Sequence, residues 1–423
     1  MAAENKLAVD TPEFWDEEAL LKDELRHFDV CHGCRLCWNF CPAFPELFDR
    51  TDAVDGDLSK LTRSDLRPVE DLCYQCKLCF IRCPYTDPHD YDLDVPRLFM
   101  RAKFVNTKKE GVKWQDRLMG DTDLLGKLGG ISAPIANPAN NARPIRLVLE
   151  KTLGVHRDAT LPKFHTRKFK SWFRGNAETL NARVTQDARK VALFYTCYVN
   201  YNDPSVGVAC AEVLSHNNVR VVVAEQQCCG MPFVDGGALE LARKKIRSNI
   251  ASHVDLVRQG YDIVVPGPTC SYMIKRDYPL LETTEEAKLV AEHTFDISEY
   301  LWKLKLDGTL KTDFSPVGKV AYHAPCHTRA QFMGNKGASL LELIPYTEVE
   351  QIERCSAHDG TWGVKTASHL VSLKYGEKLF KDLLESDAGV FVSDCPLAAT
   401  QIEHGVGTRP VHPMQVLKTA YGI

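Results

Sequence analysis

Two kinds of hydrophobic segment are missing from this sequence. No apolar run approaches the roughly 18 residues that a membrane-spanning helix requires. The first ten residues, MAAENKLAVD, have neither the basic start nor the apolar stretch of a secretory signal. We therefore expect a soluble or peripheral protein that is not exported.

The sequence also lacks a strong excess of charge and a nucleotide-binding glycine loop. Lys and Arg number 52 against 56 acidic residues, a formal net charge of −4, which argues against a general polyanion binder. No G-x-G-x-x-G motif follows a predicted strand, so we expect neither flavin nor NAD on this chain. No nucleic-acid recognition fold is indicated, and we expect no nucleic-acid partner.

Cysteine, by contrast, is abundant, with 16 residues in a chain of 423. Disulfide scaffolds are typical of short secreted chains, whereas this chain is long enough for two or three domains and carries no export signal. The cysteine content therefore indicates metal ligation.

Two cysteine runs have the spacing of bacterial two-cluster ferredoxins. CHGCRLCWNFCP (31–42) and CYQCKLCFIRCP (73–84) both read C-x2-C-x2-C-x3-C-P. Three cysteines of each run bind one cluster, and the fourth binds the neighbouring cluster. We expect two [4Fe–4S] clusters, one held by Cys31, Cys34, Cys37 and Cys83, the other by Cys73, Cys76, Cys79 and Cys41. A zinc site would not explain the x3-C-P ending.

The surroundings of these runs indicate helices. The 31 residues between Cys41 and Cys73 are too many for a compact hairpin and have a helical pattern. Pro12 is expected to open a helix that runs to His27, because proline is favoured at the first helical position. We predict a helical ferredoxin domain over residues 1–110.

The second half of the chain contains an internal duplication. KVALFYTC (190–197) matches KVAYHAPC (319–326), VVVAEQQCCG (221–230) matches VEQIERCSAHDG (349–360), and DIVVPGPTC (262–270) matches AGVFVSDC (388–395). The aligned cysteines are 129, 127 and 125 positions apart, a small drift that favours duplication over chance. We define repeat 1 as residues 188–315 and repeat 2 as residues 316–423.

Short apolar strands alternate with helical patterns in each repeat, which predicts a duplicated parallel α/β cysteine-rich domain. Ligands bind such sheets at the carboxyl ends of the strands, where the aligned cysteines lie. We expect a further iron–sulfur centre at Cys197, Cys228, Cys229 and Cys270, faced across the repeat interface by Cys326, Cys355 and Cys395. Either each repeat holds a cluster, or only one repeat is occupied.

The adjacent Cys228 and Cys229 cannot easily form a disulfide with each other. They can bind two irons of an opened cluster or two faces of a normal one, and Gly230 would let the backbone pass close to it. The alternative is a buried apolar pair, which the matched cysteines at the other strand ends disfavour. Cys210 has no partner in repeat 2 and is expected in the core.

Several polar side chains accompany the cysteines of repeat 2. His323 and His327 flank Cys326, and His358 follows Cys355 by three positions. A lone histidine is usually a surface or core residue, but an imidazole here can ligate iron or protonate a bound quinone. The candidate catalytic residues are His323, His327 and Arg329, the candidate cofactor-binding residues are Gly230 and His358, and Asp359 is a candidate for orienting a ligand.

These motifs resemble the heterodisulfide reductase B-subunit family, whose pattern is C…CCG…C-x-x-C, twice. With the ferredoxin runs, the chain is similar to the C subunits of anaerobic glycerol-3-phosphate dehydrogenases, a likeness carried by YHAPCHTRAQFMG, IERCSAHDGTWGVK and TQIEHG. It departs from the full pattern at Met273, Ser356 and Ala398, which stand where cysteines are expected. Repeat 1 keeps four cysteines, enough for a cubane, whereas repeat 2 keeps three and needs another ligand.

The resemblance implies an iron–sulfur electron-transfer subunit of a multisubunit oxidoreductase. Such a subunit takes electrons from a flavin-containing dehydrogenase and passes them towards menaquinone, on the cytoplasmic face of the cell membrane. The implied partners are therefore the dehydrogenase subunit and a quinone or membrane surface. The alternative is a catalytic subunit that reduces a disulfide or a quinone at the cysteine-rich centre, and the missing second C-x-x-C disfavours the disulfide.

Residues 111–187 form a connecting segment with a basic, amphipathic part. Residues 142–174 contain nine Lys or Arg against two acidic residues. Ile145, Val148, Leu149 and Leu153 share one predicted helical face, and four aromatic residues follow, Phe164, Phe169, Trp172 and Phe173. The segment is either a linker packed on its own domains or an interfacial segment that docks on an anionic membrane or a partner.

Overall fold

The computed structural model describes residues 7–423 and contains a helical N-terminal domain, a helical connection and two small parallel sheets. This confirms the predicted fold class. The N-terminal helices are α1 (Glu17–Cys34), α2 (Ala43–Asp52), α3 (Arg63–Asp71), α4 (Leu78–Ile81) and α5 (Val95–Glu110), with 3-10 turns at Glu13–Trp15 and Leu58–Lys60. Helices α2 and α3 occupy the stretch between the two cysteine runs that we expected to be helical.

The first helix does not follow the predicted bounds of Pro12 to His27. Pro12 precedes a 3-10 turn, and α1 begins at Glu17 because the Asp16 side chain caps it, accepting a hydrogen bond from the Ala19 N–H at 2.7 Å. The helix continues to Cys34 and ends where Arg35 adopts a left-handed conformation. Its last turn therefore carries the first two cysteines of the first run.

The connection contains five helices: α6 (Trp114–Gly120), α7 (Thr122–Ile131), α8 (Ala133–Asn141), α9 (Arg143–Leu153) and α10 (Phe169–Ala182). The predicted common face of α9 is divided in the structure. Ile145 and Val148 are exposed to solvent, whereas Leu149 and Leu153 line an internal cavity. The four apolar residues cover a wide arc of the helix surface, so those at one edge of the arc face solvent and those at the other edge face the cavity.

Repeat 1 has a four-stranded parallel sheet in the order β2-β1-β3-β4. Its strands are β1 (Arg189–Leu193), β2 (Val219–Val222), β3 (Tyr261–Val265) and β4 (Thr294–Asp296). Its helices are α11 (Cys197–Tyr201), α12 (Pro204–His216), α13 (Met231–Asp235), α14 (Leu239–Arg258), α15 (Pro268–Tyr272), α16 (Tyr278–Leu281), α17 (Glu285–Glu292) and α18 (Ile297–Leu306), with a π-helical turn at Met273–Asp277.

Repeat 2 has a three-stranded parallel sheet in the order β6-β5-β7, the same order as its counterparts in repeat 1. Its strands are β5 (Lys319–His323), β6 (Glu348–Ile352) and β7 (Val390–Ser393). Its helices are α19 (Cys326–Arg329), α20 (Lys336–Leu341), α21 (His369–Glu385), α22 (Pro396–Val406) and α23 (Pro413–Tyr421), with a 3-10 turn at Trp362–Val364. A single parallel bridge between Val392 and Val411 occupies the position of the fourth strand.

The two repeats share one hydrophobic core. Val191 and Val264 of repeat 1 belong to the same buried cluster as Val320 and Tyr322 of repeat 2, and Cys210 lies in it as expected. This packing fixes the orientation of the two sheets, and with it the positions of the cysteines at their strand ends. Within residues 7–423 no helix is long and apolar enough to cross a membrane.

Candidate metal centres and an adjoining cavity

The first predicted cysteine set is brought together by the end of α1 and the loop after α4. Cys31 and Cys34 lie on α1, and Cys37 follows in the next turn. Burial, then the neighbouring thiols of Cys83 and Cys34, raises the pKa of Cys37 to about 12. Thiols this close become stable thiolates only when a cation offsets their mutual repulsion, so the arrangement suits metal binding.

The second set surrounds an enclosed cavity in the ferredoxin domain. Cys41, Cys73, Cys76 and Cys79 line this cavity together with apolar residues that include Phe40, Phe44 and Phe99. Among residues 7–423 no three His, Cys, Asp or Glu side chains are close enough to bind a single metal ion. The four thiols are grouped as the ferredoxin spacing predicts, and their role as ligands of a four-iron cluster stays a prediction.

Left-handed residues shape the second loop. Gln75 and Lys77 have φ angles of 55° and 63°, which turn the chain so that the cysteines beside them converge. The Gln75 amide donates to the Pro96 carbonyl at 3.1 Å, and Lys103 Nζ donates to the Cys73 carbonyl at 2.9 Å. Contacts with α5 therefore hold this loop in place.

The four cysteines of repeat 1 converge as the sequence predicts. All four residues line one cavity, in which Cys228 and Cys229 are buried. All four follow the carboxyl ends of β1, β2 and β3, as expected for a ligand site on a parallel sheet. Their role as cluster ligands stays a prediction.

Helix α7 covers this cysteine site. The Asp123 carboxylate accepts a hydrogen bond from the Cys228 N–H at 2.9 Å and forms an ion pair with Lys245 at 2.7 Å. The Thr122 hydroxyl lines the same cavity and is buried without a hydrogen-bond partner among the described residues. The sequence analysis missed these three residues, and no motif marks them, because they meet the cysteines only through the fold.

The cysteines of repeat 2 do not all face repeat 1 as predicted. Cys326 and Cys355 pack into the hydrophobic cluster of the ferredoxin domain, whereas Cys395 lines a cavity shared with the cysteines of repeat 1. A hydrogen bond with Cys76 lowers the pKa of Cys355 to about 7 against the effect of burial, and Tyr74 and Arg329 act in the same direction. Repeat 2 therefore contacts both the ferredoxin domain and repeat 1, which also pack directly on each other through a cluster that contains Phe104 and Phe233.

Two of the candidate histidines make structural hydrogen bonds through both ring nitrogens. In His323, Nε2 donates to the Arg354 carbonyl at 3.1 Å, and Nδ1 accepts from the Ser393 hydroxyl at 3.0 Å. In His327, Nε2 donates to the Gln75 carbonyl at 3.1 Å, and Nδ1 accepts from Thr269 at 3.0 Å. A role in ligation or proton transfer would require these bonds to break.

Burial lowers the pKa of His323 to about 4 and that of His327 to about 3, so both imidazoles are neutral. His327 joins three parts of the molecule, because Gln75 belongs to the ferredoxin domain and Thr269 to repeat 1. Arg329 pairs with Glu353 at 3.4 Å.

The structure gives a conformational reason for a glycine at position 230. Its φ of 96° is left-handed, and a Cβ there would lie 3.4 Å from the Ala242 carbonyl oxygen of α14. Because of this φ angle the turn into α13 favours glycine, and the expected approach of the backbone to a cofactor stays a prediction.

A cavity of about 390 Å³ joins the two repeats beside the cysteines of repeat 1. Helices α7 and α9 and the loop after α9 supply an apolar wall that includes Leu125, Leu149, Leu153, Leu161 and Phe164. The opposite wall includes Cys197, Cys228, Cys229, Cys270, Cys395, His358 and Asp359. His358 and Asp359 thus lie in one pocket with the cysteines of both repeats.

Two carboxyl groups, Asp235 from repeat 1 and Asp359 from repeat 2, meet at this cavity. Both line it, and burial raises the pKa of Asp235 to about 6. Burial, then the charge of Asp235, raises the pKa of Asp359 well above its usual value. The sequence analysis missed Asp235, although an Asp-Gly pair follows the cysteine motif in both repeats and could have been noticed.

Comparison with known proteins assigns the domains. Residues 24–109 match the citrate utilization protein B Fer4-like domain, and residues 191–275 and 320–403 each match the cysteine-rich domain, CCG. Both models indicate an iron–sulfur protein, in agreement with the cysteine sets described above.

Relatives are found among the components of oxidoreductases. The chain is 31% identical over 324 residues to the C subunit of anaerobic glycerol-3-phosphate dehydrogenase of Escherichia coli (strain K12), a match that covers 76% of this chain and 80% of the relative. It is 28% identical to the B subunit of the fumarate reductase (CoM/CoB) of Methanothermobacter marburgensis, over 54% of this chain and 45% of that protein. Lactate utilization protein A of Bacillus subtilis is 28% identical over 49% of this chain and 87% of its own length. The chain therefore belongs to the family of the C subunits of anaerobic glycerol-3-phosphate dehydrogenase, and it carries the cysteine-rich domain twice.

Proposed function

We propose that this chain is an electron-transfer subunit that takes electrons from a flavin-bearing dehydrogenase subunit and passes them towards menaquinone. The Escherichia coli relative is a subunit of anaerobic glycerol-3-phosphate dehydrogenase, which favours a partner of that kind. The substrate oxidation and its hydride chemistry then belong to the partner. Iron–sulfur clusters, when bound, supply the one-electron chemistry of this chain.

The observation that carries this proposal is the contact between the cysteine sites of different domains. Cys79 of the second set interacts with Cys31 and Cys37 of the first set. Cys355 of repeat 2 packs against the hydrophobic cluster that contains Cys76, and its Sγ lies 3.3 Å from the hydroxyl of Tyr74. Cys326 packs against the same cluster as Cys355, and Cys395 of the same repeat lines the cavity shared with repeat 1. These neighbouring sites form an unbroken series from the ferredoxin domain to repeat 1.

We assign the ligands accordingly. Two [4Fe–4S] clusters are held by the ferredoxin domain, and one or two further clusters by the cysteine-rich repeats. The proposed ligands of the repeats are Cys197, Cys228, Cys229 and Cys270 in repeat 1, and Cys326, Cys355 and Cys395 in repeat 2.

The connection supports attachment to the cytoplasmic face of the cell membrane. Residues 124–149 contain no Asp or Glu. On this stretch Ile131 and Ile135 are 78% and 76% exposed, and Lys127 and Arg143 are exposed beside them. An apolar surface flanked by basic side chains suits an anionic bilayer.

The aromatic part of the connection has a different role. Phe169 and Phe173 are buried in the core of repeat 1, with Trp172 packed against it. Lys170 pairs with Glu225. This part therefore supports the alternative of a linker packed on its own domain, and we place the membrane contact earlier, on α7–α9.

The test of the proposed function uses anaerobically purified full-length protein with the flavin-bearing partner. We expect about eight irons from the ferredoxin domain alone. Cys355→Ser should slow electron transfer from partner to quinone at least tenfold while both ferredoxin-type spin signals persist. Cys210→Ala, in the core, is the matched control and should behave as wild type. Full quinone reduction by Cys355→Ser would show that the proposed series of sites is not the route.

A further inference from the structure

We propose that the cavity between the repeats is the binding site for the head group of an isoprenoid quinone. This inference rests on the proposed function and identifies where the electron acceptor binds on this chain. The volume of about 390 Å³ includes the space of any cluster held by the four cysteines of repeat 1, so we place the head group in the part lined by Leu149, Leu153 and His358.

The walls of the cavity have two chemical characters. One wall is apolar and comes from α7 and α9, including Leu125, Leu149 and Leu153. The other carries the cysteines of repeat 1 with Cys395, His358 and Asp359. A quinone has the same division, because its ring and isoprenoid tail are apolar and its two carbonyl oxygens accept hydrogen bonds.

Polar atoms beside the cavity lack partners within the chain. Among residues 7–423, His358 Nδ1 and both carboxyl oxygens of Asp235 are buried and have no hydrogen-bond partner. His358 is only 9% exposed. Buried polar groups normally find a partner, because leaving one unpaired costs about 1–3 kcal/mol. His358 Nδ1 lies beside Gly363, but the residues His358 and Asp235 both line the cavity, so an uncharged ligand with hydrogen-bonding oxygens suits this wall.

The lining also disfavours an anionic substrate. It includes Asp235 and Asp359 but neither Lys nor Arg. Disulfides of acidic thiol cofactors carry carboxylate or phosphate groups, which would meet carboxyl groups here instead of cations. An uncharged quinone carries no such penalty.

The outer faces of the same helices give the quinone a route from the bilayer. Leu149 of α9 lines the cavity, whereas its neighbour Val148 is 57% exposed on the surface that we assign to the membrane. A lipid-soluble quinone that leaves the bilayer therefore has to pass only one layer of helices to reach the cavity.

Reduction in this site balances as follows. Quinone accepts two electrons, one at a time, which derive from the reduced flavin of the partner subunit. Each of its two oxygens takes one proton, supplied by the Asp235–Asp359 pair and replaced from water, while neutral His358 contributes a hydrogen bond and no proton. The product is the hydroquinone, and no covalent bond to the protein forms.

The test measures binding and not turnover. Full-length protein, anaerobically purified and iron-loaded, is titrated with 2-heptyl-4-hydroxyquinoline N-oxide, a fluorescent quinone analogue, in detergent. We expect saturable binding at one site per chain. Leu149→Trp fills the cavity and should weaken binding at least tenfold, whereas Val148→Trp on the outer face of α9 is the matched control and should stay within twofold of wild type.

A second variant keeps the test independent of cavity packing. His358→Gln changes the donor without filling the space and should weaken binding about five- to tenfold, the value of one hydrogen bond. Equal affinity of wild type, Leu149→Trp and His358→Gln would overturn the assignment of the cavity. Absence of binding by iron-loaded, reducible wild-type protein would overturn it while leaving the proposed electron transfer intact, whereas failure to bind iron would contradict the proposed function itself.

Discussion

The hydroxyl of Tyr74 in the ferredoxin domain lies 3.3 Å from the Sγ of Cys355 in repeat 2. The Tyr74 ring also packs on Trp362 of repeat 2 at a centroid distance of 4.8 Å, and the Trp362 indole donates to the Asp71 carbonyl at 3.0 Å. Tyr74 stands within the second cysteine run, between Cys73 and Cys76. The two domains are therefore in contact at the cysteines themselves.

Tyr74→Phe removes this hydroxyl and keeps the ring. The hydroxyl also lies 3.3 Å from the Phe40 carbonyl oxygen, but a cluster-bound Cys355 thiolate could only accept, so Tyr74 would donate to it. Such a bond stabilises the more negative, reduced state, and its loss should lower a midpoint potential. A hydrogen bond to a charged group contributes about 1.5–3 kcal/mol. Adding one electron to the cluster changes only part of this free energy, so we expect the midpoint potential to shift by roughly 30–60 mV. A redox titration followed by electron-spin resonance measures it. Tyr85→Phe is the control, and equal potentials in both variants would rule out the bond's influence.

The crossed arrangement of the ferredoxin cysteines can be tested by serine substitution. Cys83→Ser should remove about four irons and the same spin signal as Cys34→Ser, because we assign both residues to the first cluster. Cys41→Ser should instead match Cys73→Ser. Iron analysis and spectroscopy of the four variants decide the matter, and a loss shared by Cys83→Ser and Cys73→Ser would contradict the assignment.

Membrane attachment should depend on the exposed isoleucines of the connection. Ile131→Glu with Ile135→Glu removes two apolar side chains, each worth about 1.5–3 kcal/mol when buried, and adds charges that an anionic bilayer repels. We expect co-sedimentation with anionic vesicles to weaken at least 100-fold. Leu306→Glu, at a residue 73% exposed elsewhere, is the control. Lys163→Glu with Arg167→Glu should weaken binding less, and a larger effect there would move the membrane contact to the basic segment.

Folding stability should fall in mild acid partly because of His412. Burial lowers its pKa to about 3, below the value of about 6.5 in an unfolded chain. The unfolded state therefore binds a proton first, and the stability contributed by neutral His412 is complete above pH 6.5 and decreases as the pH falls towards 3. Between pH 7 and pH 5 the loss from this residue should be about 2 kcal/mol.

His412→Asn tests this directly, because asparagine is also a good cap for α23, where the His412 ring accepts a hydrogen bond from the Met414 N–H at 3.1 Å. Chemical denaturation at both pH values should show a loss that is about 2 kcal/mol smaller than in wild type. His165→Asn, at an exposed position, serves as control. An unchanged pH dependence in His412→Asn would show that other groups cause the acid sensitivity.

The sequence alone determined the local structures and the cysteine sets. The ferredoxin spacing predicted which cysteines lie together in the N-terminal domain, and the duplication predicted six parallel strands with cysteines after their ends. These patterns could be read because each depends on short-range geometry: three-residue spacing in a tight loop and alternation of strand and helix. The predicted start of the first helix at Pro12 was wrong, because the side chain of Asp16, four residues later, caps α1 instead.

Only the tertiary structure decided which cysteine sites are neighbours and what covers them. Cys355 meets Cys76 because repeat 2 packs on the ferredoxin domain, and Cys395 reaches the opposite side, towards repeat 1. His323 and His327, which the sequence offered as catalytic residues, are engaged in bonds between distant segments. The closing of α7 and α9 over the cysteines depends on contacts such as that of Asp123 with Cys228, 105 positions apart. No short-range pattern encodes such contacts, because they arise from the packing of whole domains.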